Sequence, residues 1–515
     1  MSSARVHARN LLANWTAHGA NLVVLFFLSP FIVHTLGKTE YGIWSLLTVL
    51  TGYLGVFDLG VRASTGRYVI LYLGQGDHEK LDQTVRTGLG FFSVAGLLII
   101  LASVVVGIGF PTFFPSSPAE YHAQVGVLLP ILAVNIWLSV VGAIFGSVLM
   151  AHDRFDLMRT VDLTVLAVRT GGTVAALLLG YGIVGLALAT VACGVLAVAG
   201  NYILARRIYP RLRVWPLTLV RARLRELFGY GIAAFISNVA VKIIGQTDLI
   251  IVGALISVGA VTVYSVGAML VYYSWTFLGH IGSTLFPPVQ RAASTGDYES
   301  VRWYYLRQVR LGFVFGVPAY IGFIMFGEPF IRLWMEDATF PATAVHQAAV
   351  VMTILSLSKL FSLSSIGATT LLAATGHIRY SATVKVLEAV LNLGLSVFFV
   401  LVSDWGLAGV AAGTLVARVL VSAVLLPWRA NRAVKTRAMR FLGVLGLGLV
   451  AGGGFAGWCF LMRSVIPGGS WAMFWVQVAL ALLGYMPMAF SLLVPPADRN
   501  RFLRLLKVVR TRRTE

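Results

Sequence analysis

Fourteen apolar runs, each long enough to cross a bilayer, follow one another along almost the whole chain. They lie at 13–36, 42–66, 88–110, 124–150, 157–179, 183–205, 228–256, 259–286, 308–331, 344–372, 380–402, 405–428, 441–463 and 470–493. A helix needs about 20 mostly apolar residues to span the hydrocarbon core. There every backbone polar group must be paired within the protein, which leaves only helices and closed barrels. Barrel strands would show as short alternating segments of about 10 residues. The runs therefore predict an all-α, polytopic membrane protein of about fourteen transmembrane helices. Composition agrees, with 58% of residues hydrophobic and 12% charged, against roughly 25% charged in soluble chains. The first run follows Arg5 and Arg9, as a signal peptide would. Its length, its Asn14, His18 and Asn21, and the span after it predict a retained helix. Cys193 and Cys459 both fall inside apolar runs and are expected to pack, not to bridge.

Orientation follows from Lys and Arg. With an even number of spans both termini share a side, and nearly all the basic loop residues fall on it. The opposite loops and helix ends hold only Lys38, Arg332 and Arg463. The positive-inside rule then puts both termini in the cytoplasm. The net charge of +20 is accounted for by these flanks, so no nucleic-acid partner is expected. In the tail, Phe502, Leu505, Leu506 and Val509 share one helical face among basic residues, a pattern suited to anionic membrane lipids.

The chain also repeats itself. The stretch from Gly182 to Thr190 matches that from Gly406 to Thr414, and Gly76-Asp77-His78-Glu79 matches Gly296-Asp297-Tyr298-Glu299. Asn14-x-x-x-His18 in the first span parallels Asn238-x-x-x-Lys242 in the seventh. Six spans match six in the same orientation. The expected organisation is two parallel six-helix bundles related by a pseudo-two-fold, at 1–205 and 228–428, joined by a basic linker at 206–227. An extra helix pair at 441–493 and a basic tail at 494–515 complete the chain. Parallel repeats of this kind suit a transporter that rocks one half against the other.

No His-Glu-x-x-His, Cys-x-x-Cys or phosphate loop is present, so neither an enzyme nor a metal or cofactor site is expected. Gly142-x-x-x-Gly146, Gly312-x-x-x-Gly316, Gly409-x-x-x-Gly413 and Gly448-x-x-x-Gly452 are expected to let helices approach closely. The informative residues are ionisable groups inside spans, each costing about 2.5–3.5 kcal/mol to insert and so candidates for function. Lys242 has Asn238 and Gln246 on its own face, and Arg418 sits centrally in its span with no local partner. His18, Asn14, Arg169 and Lys359 join them as candidate substrate-binding residues. Asp58 with Arg62, Asp162, Asp248, and Lys385 with Glu388 are candidate charge pairs or coupling groups. Buried cations attract an anion, and phosphate oxygens take charge-assisted hydrogen bonds from Lys and Arg. The carboxylates could hold those cations apart in an empty site, or take a proton or sodium ion and couple the cycle to a gradient. Pro30, Pro130 and Pro318 are expected hinge positions.

Residues Asn21 to Leu36, then Gly37-Lys38-Thr39-Glu40-Tyr41-Gly42-Ile43-Trp44, Phe57-Asp58-Leu59-Gly60 and Arg67, closely resemble the polysaccharide-biosynthesis transporters. These are the O-antigen and lipid-linked oligosaccharide flippases of the multidrug/oligosaccharidyl-lipid/polysaccharide superfamily. The resemblance implies a pair of bundles in the bacterial inner membrane that moves undecaprenyl-diphosphate-linked sugars to the outer leaflet. It implies that Asn14, His18, Asn238 and Lys242 face a cationic cavity, and that polysaccharide assembly proteins are partners. The first span carries His18 and no arginine, unlike the peptidoglycan-precursor flippase. The alternative on the same fold is a cation-coupled exporter of small molecules, whose cavity would be dominated by carboxylates.

Overall fold

The structure is a computed structural model that describes residues 3–58, 60–436, 438–466, 468–495 and 498–499. Side chains at 3–18, 22, 57–58, 63, 229–234, 236–238, 240–241, 280–281, 283 and 438 are not among those described. The helices in chain order are α1 (Ser3–Leu54), α2 (Val61–Gly74), α3 (His78–Phe113), α4 (His122–Ala151), α5 (Phe155–Leu178), α6 (Gly182–Ile208), α7 (Arg221–Leu255) and α8 (Val258–Ser294). They continue with α9 (Tyr298–Met335), α10 (Ala342–Ala374), α11 (Ile378–Leu401), α12 (Gly406–Leu420), α13 (Ser422–Ala433), α14 (Ala438–Val465) and α15 (Trp471–Leu492).

Among the described residues, 12 helical stretches are long and apolar enough to cross a membrane. The first, Gly19–Leu54, contains two helices joined at Gly37, whose φ of 72° and ψ of 172° lie outside the helical region. That backbone is open to glycine and strained for other residues, so Gly37 ends the first expected span and opens the second. The second span breaks again after Leu54 into a short 3-10 turn, Gly55–Asp58, before α2. The seventh expected span corresponds to α7. The helices run through Pro30, Pro130 and Pro318, and the described break in α1 falls at Gly37.

The chain forms two compact units, Met1–Thr262 and Val263–Glu515. In the first, α4 packs on α3 and α6, and α2 lies against α3 and α4. Val61, Val69, Leu81, Val85, Val148 and Leu149 are buried together in its core. Helix α7 joins this unit, packing on α1, α2 and α3, with Leu227 buried and Phe228 edge-on to Phe91 at 5.4 Å. In the second unit α10 is central, against α9, α12 and α13, while α14 and α15 pack on α9 and on each other.

Local geometry repeats with the sequence. Gly76 and Gly296 both have positive φ, 70° and 74°. The next residue in each case, Asp77 or Asp297, caps the following helix by accepting the N–H of Lys80 or Ser300. The turn after α4, where Arg154 N–H donates to Leu149 O, recurs after α10, where His377 N–H donates to Leu372 O. Asp153 and Gly376 supply the left-handed residue, at φ 57° and 79°.

Candidate functional site

The expected charged residues fall into separate groups. The best connected is in the second unit, around Glu388. Lys385 and Glu388 lie one turn apart on α11, so their side chains meet. Lys385 Nζ is 2.8 Å from Glu388 Oε2, and Arg418 Nε of α12 is 2.9 Å from Oε1. The hydroxyl of Ser422 also donates to Oε2. It reaches there because the helix breaks at Val421 (φ −104°, ψ −76°) and restarts as α13 at Ser422. Lys385 donates to the Ser422 hydroxyl at 3.0 Å, and Arg418 reaches Ser358 Oγ of α10 at 3.4 Å. Glu388 is 1% exposed and Arg418 5%. Arg418 therefore has a partner after all, one that lies on the preceding helix and not on its own. Burying such charges is tolerable only when the geometry and the remaining hydrogen bonds are complete, and this network meets that condition. Both carboxylate oxygens of Glu388 are occupied by groups of the chain itself.

Lys359 is 3% exposed on α10. Its ammonium lies 4.7 Å from the ring centroid of Trp275 and 5.1 Å from that of Tyr272. Two rings one turn apart on α8 thus stand in for water around the charge. Nothing about the lysine alone foretold this. The signal was the aromatic run Tyr272-Tyr273-Ser274-Trp275.

In the first unit, Lys242 donates to the backbone carbonyl of Gly52. The last carbonyls of a helix lack intrahelical partners, and α1 ends at Leu54. A lysine there satisfies one of them and complements the negative end of the helix dipole. Gln246 packs at the same place, since a Cβ on Gly52 would stand 2.9 Å from its Oε1. At the next residue of each helix, Tyr53 and Thr247 share a hydroxyl–hydroxyl hydrogen bond of 2.5 Å, and Asp248 is 1% exposed. Lys242 and Gln246 thus share a face, as their spacing requires, and use it to grip the end of α1.

Asp162 pairs within its own helix. It accepts from Arg159 at 2.7 Å, three residues back on α5, while Arg169 reaches Asn21 of α1 at 3.4 Å. A residue one turn away on the same helix is within reach of such a pair. Asp162 also borders a cavity of about 670 Å³ together with Arg62. Asn14, His18, Asn238 and Asp58 have side chains outside the described residues, as does the amphipathic stretch of the tail.

Comparison with known proteins adds the context that geometry lacks. The family described as polysaccharide biosynthesis protein matches residues 34–338. A Shigella flexneri protein named "Putative O-antigen transporter" is 21% identical over 425 residues, covering 81% of this chain and 96% of its own length. Among solved structures, the lipid II flippase MurJ in an inward closed conformation superposes with a TM-score of 0.70 at 17% identity, covering 93% of this chain and 97% of the other. A multidrug resistance MATE family transporter in an inward-facing conformation gives 0.67 at 15% identity, over 80% and 96%. These two likenesses establish the fold.

Proposed function

We propose, for a chain that belongs to the polysaccharide biosynthesis protein family, that it is a flippase. Its cargo is a lipid-linked oligosaccharide, a precursor of a polysaccharide or O-antigen, carried across the membrane by alternating access of its halves. The observation that carries this reading is the family match itself. It is supported by the Shigella relative named for O-antigen transport and by the fold shared with the lipid II flippase. Cations outnumber carboxylates among the described ionisable groups within the spans, which favours an anionic cargo over the cationic drugs a carboxylate-lined exporter would take.

The cargo's anchor is an undecaprenyl diphosphate, whose oxygens suit Arg and Lys. Both termini lie in the cytoplasm and the membrane is the bacterial inner membrane, as the distribution of basic loops supports. A proton or sodium gradient drives the cycle. Asp248, buried on α7 at 1% exposure, is the coupling candidate in the first unit, and Glu388, held by Lys385 and Arg418, is the one in the second. Polysaccharide assembly proteins are its partners. The test is translocation of a labelled undecaprenyl-diphosphate oligosaccharide in proteoliposomes with and without a gradient. Movement into the far leaflet only with protein present supports the flippase, and export of a cationic dye in its place supports the small-molecule exporter.

A further inference from the structure

The cavity of about 670 Å³ in the first unit is bounded by α2, α4, α5 and α6. Its lining extends to Met150 at the end of α4 and Met158 at the start of α5. It reaches inward to Leu138, roughly 20 Å from the end of α4 at 1.5 Å per residue. Its size falls in the range of about 300–1,000 Å³ typical of small-molecule sites.

Its charge is positive. Arg62 and Arg67 of α2 are exposed and line it. The carboxylate of Asp162, on the α5 wall, is held by Arg159 at 2.7 Å. The hydroxyl of Ser139 and the amide of Asn201 also border it. Guanidinium groups bind phosphate oxygens in a bidentate fork, and hydroxyl and amide groups suit the hydroxyls of a sugar.

The room comes from glycines. Gly142 and Gly146 were expected to bring helices together, yet both line the cavity. A Cβ there would meet its nearest atom, on Val198 or Met158, at 3.5 or 3.6 Å, which is ordinary contact. At Gly413, the same spacing in the second unit, a Cβ would stand 2.5 Å from the backbone nitrogen of Ser396. One Gly-x-x-x-Gly pair closes a helix contact and the other leaves space.

We propose that this cavity is a capture site for the diphosphate and first sugar of the lipid-linked cargo, formed inside the first unit alone. The inference rests on the flippase reading above. Arg62 and Arg67 hold the diphosphate, Ser139 and Asn201 face the sugar, and Gly142 and Gly146 leave the volume for it.

The test is binding of undecaprenyl diphosphate to the full chain in phosphatidylcholine nanodiscs, read by native mass spectrometry. It compares the wild type with Arg62→Gln/Arg67→Gln and with Gly142→Leu/Gly146→Leu. At least a tenfold loss in both double variants is expected. Thermal unfolding of each variant separates loss of the site from loss of the fold. If a leucine variant unfolds, Arg67→Lys replaces it and is expected to weaken binding several-fold. Competition by inorganic pyrophosphate supports headgroup recognition. Equal competition by phosphatidylglycerol makes it a general anionic-lipid site and overturns the assignment. Unchanged binding in the double variants also overturns it, and if those variants still flip the labelled lipid, the flippase reading stands without this site.

Discussion

Arg418 and Glu388 form an ion pair of 2.9 Å between two helices, each residue almost wholly shielded from solvent. With Lys385 and Ser422 it ties α11, α12 and α13 together, and Ser358 extends the tie to α10. Removing one member leaves the others buried and uncompensated. Glu388→Ala is expected to cost about 3–5 kcal/mol, read as a lowered unfolding temperature in detergent. The pair Glu388→Leu with Arg418→Met is expected to cost less than the sum of the single changes, because each single change strands a charge. Additive costs would show that the two do not interact.

Lys242→Met removes the donor that closes the end of α1 at Gly52. The expected loss is about 1–3 kcal/mol, that of a buried acceptor left unsatisfied, with Lys242→Arg recovering part of it. A variant as stable as the wild type would mean that Lys242 is not needed to hold α1, and would strengthen its case as a cargo-binding residue.

The aromatic seat of Lys359 gives a graded series. Trp275→Phe keeps a ring and Trp275→Leu does not. The loss from Trp275→Leu is expected at about 2 kcal/mol or more for a desolvated cation–π contact, with Phe between Leu and the wild type, by thermal unfolding. Equal effects of Leu and Phe would attribute the loss to volume.

Gly413→Ala forces a methyl to within 2.5 Å of a backbone nitrogen, and overpacking of this kind costs about 1–3 kcal/mol. Gly142→Ala meets only ordinary contacts and is expected to leave the unfolding temperature unchanged. A reversal of the two would contradict the packing described.

Asp77 and Asp297 begin α3 and α9, and hydrogen bonds from Lys80 and Ser300 hold both carboxyls below the usual range. A depressed folded-state value means that the caps stabilise at neutral pH. That stability is lost as pH falls through their folded-state values, below about 3.8. Asp77→Asn with Asp297→Asn keeps the cap and is expected to flatten the acid limb of the stability profile.

Much of the fold was legible because bilayer chemistry is strict. The runs ending at residues 150 and 493 became helices ending at Ala151 and Leu492, since length and hydropathy alone decide what can span. The turns at Gly76 and Gly296 followed from glycine before a capping aspartate. The break at Gly37 lies one residue past an expected boundary, where glycine supplies the non-helical backbone. The charge pairs were harder. Lys385 and Glu388 were readable at i, i+3, whereas Arg418 reaches across helices and Lys359 finds rings on α8. Such contacts depend on how helices rotate against one another, which spacing within one helix does not encode. The two meanings of Gly-x-x-x-Gly, at 142–146 and at 409–413, are separated only by what stands opposite.

The most direct test of the central claim is movement of a fluorescent undecaprenyl-diphosphate oligosaccharide across proteoliposomes that contain the intact chain. The account predicts transfer that requires the protein and is slowed by Arg62→Gln/Arg67→Gln. Lipid that stays in its starting leaflet, while the same vesicles extrude a cationic dye down an imposed gradient, would contradict it.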